Sequence, residues 1–249
     1  MPLSFAAFVA GIKRVYPFDV VIAAPQEFDA RPNVTGLLRD ALAGSGLNLV
    51  ASCGIDAYDS AAPEAFRSSI WLPGARGLVV VGSAGPELWT RLREDGRYKL
   101  DAASASGSGA DANPLDRFVS DLLERGDAAL SAAGVAFRRF EAAFHASPRV
   151  DFLALGRLVG LGRAGPFGIL IHPVHGPWWA LRGAWLVDAY VEPLTEPSWP
   201  CDRCAAPCVG GWHRSGGVGL ATAETRGRCV VGQASRYDED QIAYHQSIH

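Results

Sequence analysis

The sequence has little charge of either sign in excess: 23 Lys and Arg stand against 26 Asp and Glu in 249 residues, a formal net charge of -3. Recognition of a phosphate backbone usually leaves a basic surplus on the domain, so no nucleic-acid partner is expected. No run reaches the roughly 18 apolar residues of a membrane span. The apolar N-terminal stretch is followed by its basic pair, Lys13 and Arg14, whereas a secretory signal places the basic residues first. A cytoplasmic protein with no membrane partner is expected. A P-loop and a Gly-x-Ser-x-Gly elbow are both absent, which removes support for nucleotide hydrolysis and serine esterase chemistry. Cysteine is scarce and odd in number, five in all, which argues against a disulfide framework. None is needed, because a chain of this length buries roughly 70–75% of its unfolded surface in one core.

What is present alternates between two periodicities. Phe5, Phe8, Val9 and Ile12 recur at the spacing of one buried helical face. Val20 to Ala24 reads as a strand, Val34 to Leu42 as a helix stopped by Gly44 and Gly46, and Leu47 to Ser52 as a strand. Leu72 to Gly82 is a turn followed by a β-branched run of the kind buried on both faces, and Pro86 to Leu92 is helical. Ala102 to Ala112 lacks large side chains and reads as a mobile loop. Asn113-Pro114 opens a helix whose apolar face is Leu115, Phe118, Val119, Leu122 and Leu123. A second helical stretch is expected from Ala128 to Phe144. Helix at Leu153 to Leu161, a Gly/Pro loop at Gly162 to Gly168, and a hairpin of Ile169 to Ile171 with Trp178 to Val191 complete the pattern. Trp178, Trp179 and Trp185 alternate imperfectly, so indoles should face both sides. The fold class expected from this alternation is an α/β or α+β layer arrangement.

Three features can carry chemistry. Cys201, Cys204 and Cys208 fall within eight residues and Cys229 follows, a spacing that lets thiolates converge on one ion. With Cys229 as fourth ligand the set suits an iron–sulfur cluster, with His213 a zinc site, and the alternative is thiols without a ligand. His172 and His175 can ligate a metal or shuttle protons; alternatively one caps the turn between them and the other is solvated. Arg182, amid an apolar strand, needs an anion, which Asp188, Glu192 or a ligand carboxylate or phosphate can supply. The spacing of Gly162, Gly165 and Gly168 is a weak dinucleotide-loop signal, because helix precedes it and strand follows.

The stretch LIHPVHGPWWALRG at 170–183 resembles a motif of the cblC-type cobalamin-processing and trafficking chaperones, approximately CIHPxxGGWFAIRG. Three more pieces resemble that family in order: VYPF at 15–18, LPG at 72–74 leading to GSAGP at 82–86, and RYDEDQIAY at 236–244. A second resemblance overlaps it. LVGLGRAGPFGIL at 158–170, followed by the cysteines, is similar to epoxyqueuosine reductases and reductive dehalogenases, but their CxxCxxCxxxCP run is cut here to three cysteines, with Pro207 where the third should fall. Two full clusters would need eight thiolates, so at most one remains.

The resemblance implies a nitroreductase-like α+β fold, a central mixed or antiparallel sheet flanked by helices. Residues 1–195 would form the cobalamin-binding domain, with the Cys-containing segment 196–249 packed on it. It implies a cobalamin-binding protein that holds the cofactor with its nucleotide tail off cobalt. Its action would be removal of the upper axial ligand, by reductive decyanation or glutathione-dependent dealkylation, or delivery of the cobalamin. Alternatives are a carrier or sensor without turnover, and a single-cluster cobalamin-dependent reductase. Glutathione or a reduced flavin (FMN or FAD) would be the reductant, one iron–sulfur cluster or zinc an accessory, and a homodimer the assembly. By position, Val150, Phe152, Leu153, Ala164, Gly165, Pro166, Leu170 and Leu181 would line the cobalamin pocket. Arg182 and Arg228 would serve the carboxylates of the thiol, and Cys201, Cys204, Cys208 and Cys229 any metal.

Overall fold

Between Gly77 and Ala84 every residue is buried, as a β-branched run flanked by apolar layers on both sides demands. The computed structural model describes residues 32–98, 100, 113–143, 146, 148–166, 168–192, 195, 197–205, 207–209 and 223–247. The expected N-terminal helix, the Val20 to Ala24 strand, the Ala102 to Ala112 loop and His213 lie outside them. The described elements in chain order are α1 (Val34–Ala41), β1 (Leu49–Gly54), α2 (Ile55–Ala61), α3 (Ser68–Trp71), β2 (Gly77–Ala84), α4 (Glu87–Glu94), α5 (Pro114–Ala132), β3 (Phe137–Glu141), α6 (Phe152–Leu158), β4 (Arg163–Ala164), β5 (Leu170–Ile171), β6 (Trp179–Val187), α7 (Ala223–Gly227) and α8 (Glu239–Ser247).

Four strands form one antiparallel sheet in the order β1-β2-β6-β3. Its two faces carry separate cores. Val79, Val81, Trp185 and Val187 pack against α1, α4 and α5. Leu78, Val80, Ala184 and Leu186 pack on the other face with Tyr58 of α2, Trp71 of α3 and Leu155 of α6. Helices therefore flank an antiparallel sheet, and the α+β expectation is met. Trp179 belongs to one face and Trp185 to the other, as their imperfect alternation requires.

Local chemistry accounts for the helix ends. The Asn113 side chain accepts from the backbone N–H of Leu115 and Asp116, with Pro114 at the first helical position, satisfying donors that the first turn leaves open. Gly126 lies under the Trp185 ring, where a Cβ would come within 2.9 Å of the indole. The indole N–H donates to Asp127 at 2.7 Å.

Two expectations are corrected. Ala128 to Phe144 is not one helix. Gly134 takes φ 66°, a conformation that stops α5, and Phe137–Glu141 then pairs with β6 as an edge strand. Nor do the strands around the His172 turn form a hairpin. β5 pairs with β4 in a separate two-stranded sheet, while β6 lies between β2 and β3. The turn keeps one bridge, His172 with Gly176. Pro173 and Pro177 supply no backbone N–H, so the ladder stops there and the chain passes between layers.

The β2–β6 register shifts once. Val81 faces Gly183 and Gly82 faces Leu181, leaving Arg182 as the extra residue. The bulge changes the phase of the side chains: Trp179 and Leu181 before it share a face with Ala184 and Leu186 after it. Bulges of this kind re-aim a side chain, and here the side chain is a guanidinium.

Candidate functional site

Two neighbourhoods gather the chemistry-bearing residues. The first is centred on Arg182. Its Nε donates to Ser83 Oγ at 3.0 Å, and among the described residues it makes no ion pair. Burial pushes its guanidinium below the usual value, against the pull of Tyr237, Asp116 and Tyr244. Neither acidic partner considered from sequence is used: Glu192 pairs with Arg39 at 3.1 Å and Asp188 accepts the backbone N–H of Ala136. Tyr237 is buried and its hydroxyl is pushed up by that burial, with Arg182 and Arg226 acting in the opposite direction. Its ring meets Trp178 edge-on at 5.5 Å between centroids. Tyr244 of α8 meets Trp89 at a tilt, 4.9 Å between centroids, and donates to Asn113 at the start of α5. Trp178 Nε1 and Gln241 Oε1 are buried without hydrogen-bond partners among the described residues, polar atoms that a ligand would satisfy.

Arg228, the second arginine expected here, donates to Glu224 of the same segment at 2.7 Å, while its buried Nε has no partner among the described residues. The arginine that shares Tyr237 with Arg182 is Arg226. Tyr237 lies within the RYDEDQIAY stretch, but neither it nor Arg226 stood out from the sequence, because only the crossing of β6 with the C-terminal segment brings them together.

The apolar residues expected to line a pocket lie on the other face of the sheet from Arg182. Val150, Phe152, Leu170 and Leu181 all pack in the layer under α6. Gly156 of α6 sits so close that a Cβ would come within 2.8 Å of Leu181 and 3.2 Å of Leu170. Leu153 is 53% exposed, and Ala164 and Pro166 are exposed around half-buried Gly165. The glycines of this loop serve packing. Gly162 lies against the indole of Trp179 and Gly165 against Ile171, and the Trp179 N–H donates to the Leu170 carbonyl at 3.1 Å.

The turn histidines are structural in part. His172 Nδ1 accepts the backbone N–H of Val174 and of His175, each at 3.1 Å, so its proton is on Nε2. Burial, then the neighbouring His175, depress it to about 4. His175 is not solvated: its Nδ1 bonds Ser235 Oγ at 2.7 Å.

The second neighbourhood is a cavity of about 180 Å³ lined by Cys201, Cys204, Cys208 and Cys229 with Pro166, Ile171, Pro200, Pro207 and Val231. None of the five cysteines is joined in a disulfide. Cys201 follows Pro200 in a single 3₁₀ turn, Cys208 packs on Ile171, and Cys229 follows α7, its carbonyl accepting from Gln233. Burial first, then neighbouring thiols, raise Cys201 and Cys208; burial raises Cys229. Arg163 of β4 pairs with Asp202 at 2.9 Å, which ties the loop before β5 to the cysteine turn. Among the described residues no three Cys, His, Asp or Glu close together tightly enough to hold a single metal ion. No described helix is long and apolar enough to cross a membrane.

No protein-family model and no curated protein matches the sequence. Solved structures do. The C. elegans B12-trafficking protein CblC, a human MMACHC homologue, superposes with a TM-score of 0.54 at 16% identity, over 84% of this chain and 88% of that one. This chain has its fold. Epoxyqueuosine reductase from Streptococcus thermophilus gives a TM-score of 0.48 at 14% identity over 80% of this chain, and the catabolic reductive dehalogenase NpRdhA gives 0.40 at 16% over 74%. The chain spans about half the length of the former and a quarter of the latter, 56% and 25%.

Proposed function

We propose that this protein binds cobalamin and acts on its upper axial ligand, by glutathione-dependent dealkylation or reductive decyanation, before handing the cobalamin on. The observation that carries this reading is the fold held in common with a B12-trafficking protein over most of both chains. The four collinear sequence motifs support it independently. A flat, largely apolar macrocycle suits the surface that Leu153, Ala164 and Pro166 leave open at the edge of the α6 layer, with Phe152, Leu170 and Leu181 beneath. Cobalamin is the substrate here, and it supplies the cobalt–carbon bond that is broken.

The protein's own part is to orient the thiol. Glutathione carries two carboxylates, and a guanidinium with its Nε committed to Ser83 keeps its terminal N–H pair for one of them. Tyr237 and the partnerless Trp178 Nε1 offer further polar atoms on the same side. The attacking sulfur forms a carbon–sulfur bond as the cobalt–carbon bond breaks, and the electron pair of the broken bond stays with cobalt. Because Arg182 lies on the opposite face from the α6 layer, it anchors a carboxylate of the extended tripeptide and not the sulfur itself, which contributes rate without changing how tightly cobalamin binds.

The test separates binding from turnover. Arg182→Ala is expected to slow glutathione-dependent loss of the methyl group from methylcobalamin roughly tenfold to hundredfold, the value of a charged hydrogen bond. Cobalamin affinity, measured by absorption titration, should stay within about threefold. Equal losses in both would contradict the thiol-positioning role of Arg182.

A further inference from the structure

Chemistry at Arg182 makes no use of Cys201 and Cys204, and the turn that joins them has the geometry of a redox pair. Pro200–Arg203 is a single 3₁₀ turn, closed by the backbone N–H of Cys204, which donates to the Cys201 carbonyl at 3.4 Å. Residues three apart in a 3₁₀ turn lie on the same side of the backbone, and a closed four-residue turn keeps its end Cα atoms within about 7 Å. A disulfide needs a Cα separation of about 4.4–6.8 Å. The turn itself therefore sets the pair within bridging reach. It is also held in shape. Pro200 restricts the chain as it enters, and Asp202, between the two cysteines, receives Arg163 on both carboxylate oxygens at 2.9 Å.

We propose that Cys201 and Cys204 form a redox-active dithiol that exchanges with low-molecular-weight disulfides such as that of glutathione. Access assigns the roles. Cys201 is exposed and meets the incoming disulfide, while Cys204, half-buried, resolves the intermediate. The Cys201 thiolate attacks one sulfur of glutathione disulfide. A bond from Cys201 to glutathione forms as the glutathione disulfide bond breaks, and the first glutathione leaves, taking up the proton that Cys201 gave. The Cys204 thiolate then attacks the Cys201 sulfur and expels the second glutathione, which takes the Cys204 proton. The protein is oxidised by two electrons and glutathione disulfide is reduced to two thiols; an excess of reduced glutathione runs both steps backwards. Cys208 and Cys229 are buried, and Cys53 lies in the sheet core, so the exchange stops at one bridge.

The experiment equilibrates the reduced full-length protein, purified anaerobically, with mixtures of reduced and oxidised glutathione, quenches the thiols by alkylation and maps the disulfides by peptide mass spectrometry. One Cys201–Cys204 bridge per chain is expected, its fraction following a two-electron dependence on the glutathione ratio. Its equilibrium constant should fall several-fold in urea, where the turn is lost. Cys204→Ser should accumulate the mixed disulfide at Cys201, Cys201→Ser should form neither product, and Cys53→Ser should match the parent protein. Thiols that stay reduced in a large excess of oxidised glutathione would overturn the assignment. So would a bridge that uses Cys208 or Cys229, an equilibrium constant unchanged in urea, or stoichiometric iron or zinc that blocks the exchange. The map of the parent protein needs no variant, so it stands even where a substitution impairs folding. Cobalamin is absent from every arm, so failure here is distinct from failure of the ligand reading.

Discussion

At the scale of single residues, the chemistry depends on side chains whose neighbours come from distant sequence. Arg182 looked from sequence like a charge in need of an anion, with Asp188, Glu192 or a ligand carboxylate or phosphate as the candidates. The bulge opposite Val81 and Gly82 turns it instead toward Ser83 and Tyr237. His172 illustrates the opposite case. The turn position of the two histidines suggested that one of them caps it, and two backbone donors converge on the Nδ1 of His172. The cap makes a pH prediction. Burial depresses the imidazole from 6.5 to about 4 in the folded chain, so folding favours the neutral form. Its contribution is fully present above about pH 6.5 and is lost as pH falls toward 4, on the order of 3 kcal/mol in all. His172→Asn should flatten the dependence of the urea midpoint on pH across that window relative to the parent protein. Parallel profiles for the two proteins would refute the assignment.

At the scale of elements, strong periodicity was legible and pairing was not. The β2 run, the Asn113-Pro114 helix start and the α1 helix stand where residue pattern and capping chemistry put them, because each is decided by neighbours within a turn or two. The Ala128 to Phe144 stretch failed because its apolar residues suit either a helix or an edge strand, and a glycine with positive φ together with the free edge of β6 decided for strand. The His172 turn failed as a hairpin because strand pairing is a non-local choice. What replaces the hairpin is a crossing of two backbones. Gly176, at φ 57°, lies against the Val231 carbonyl, and Gly232, at φ 76°, against the His175 carbonyl. A side chain at either glycine would overlap backbone that cannot move aside. Gly176→Ala and Gly232→Ala should therefore each cost more than the ~1–2 kcal/mol of a left-handed conformation alone. Thermal unfolding checks this, and a change under about 0.5 kcal/mol would show that the crossing is loose. The same crossing holds the segment bearing Cys229 against the turn after β5.

At the scale of the whole molecule, the two faces of one antiparallel sheet carry separate cores and different side-chain chemistry. The α6 face and its neighbouring loop present apolar surface at Leu153, Ala164 and Pro166, the α5 and α8 face holds Arg182 with Tyr237, and the cysteine cavity borders the α6 loop through Pro166. The sequence motifs pointed to each of these regions, but only the register of β6 reveals that Leu181 and Arg182, adjacent in the chain, serve opposite faces. The family resemblance rests on four short motifs, and the fold is held in common with CblC over 84% of the chain. Cobalamin binding is the claim on which the proposed activity depends. Its most direct test is an absorption titration of hydroxocobalamin and methylcobalamin with the purified protein. Binding predicts a saturable shift to the spectrum of cobalamin whose nucleotide tail has left cobalt, at one equivalent per chain. An unchanged spectrum at excess protein, with both forms of cobalamin, would contradict it.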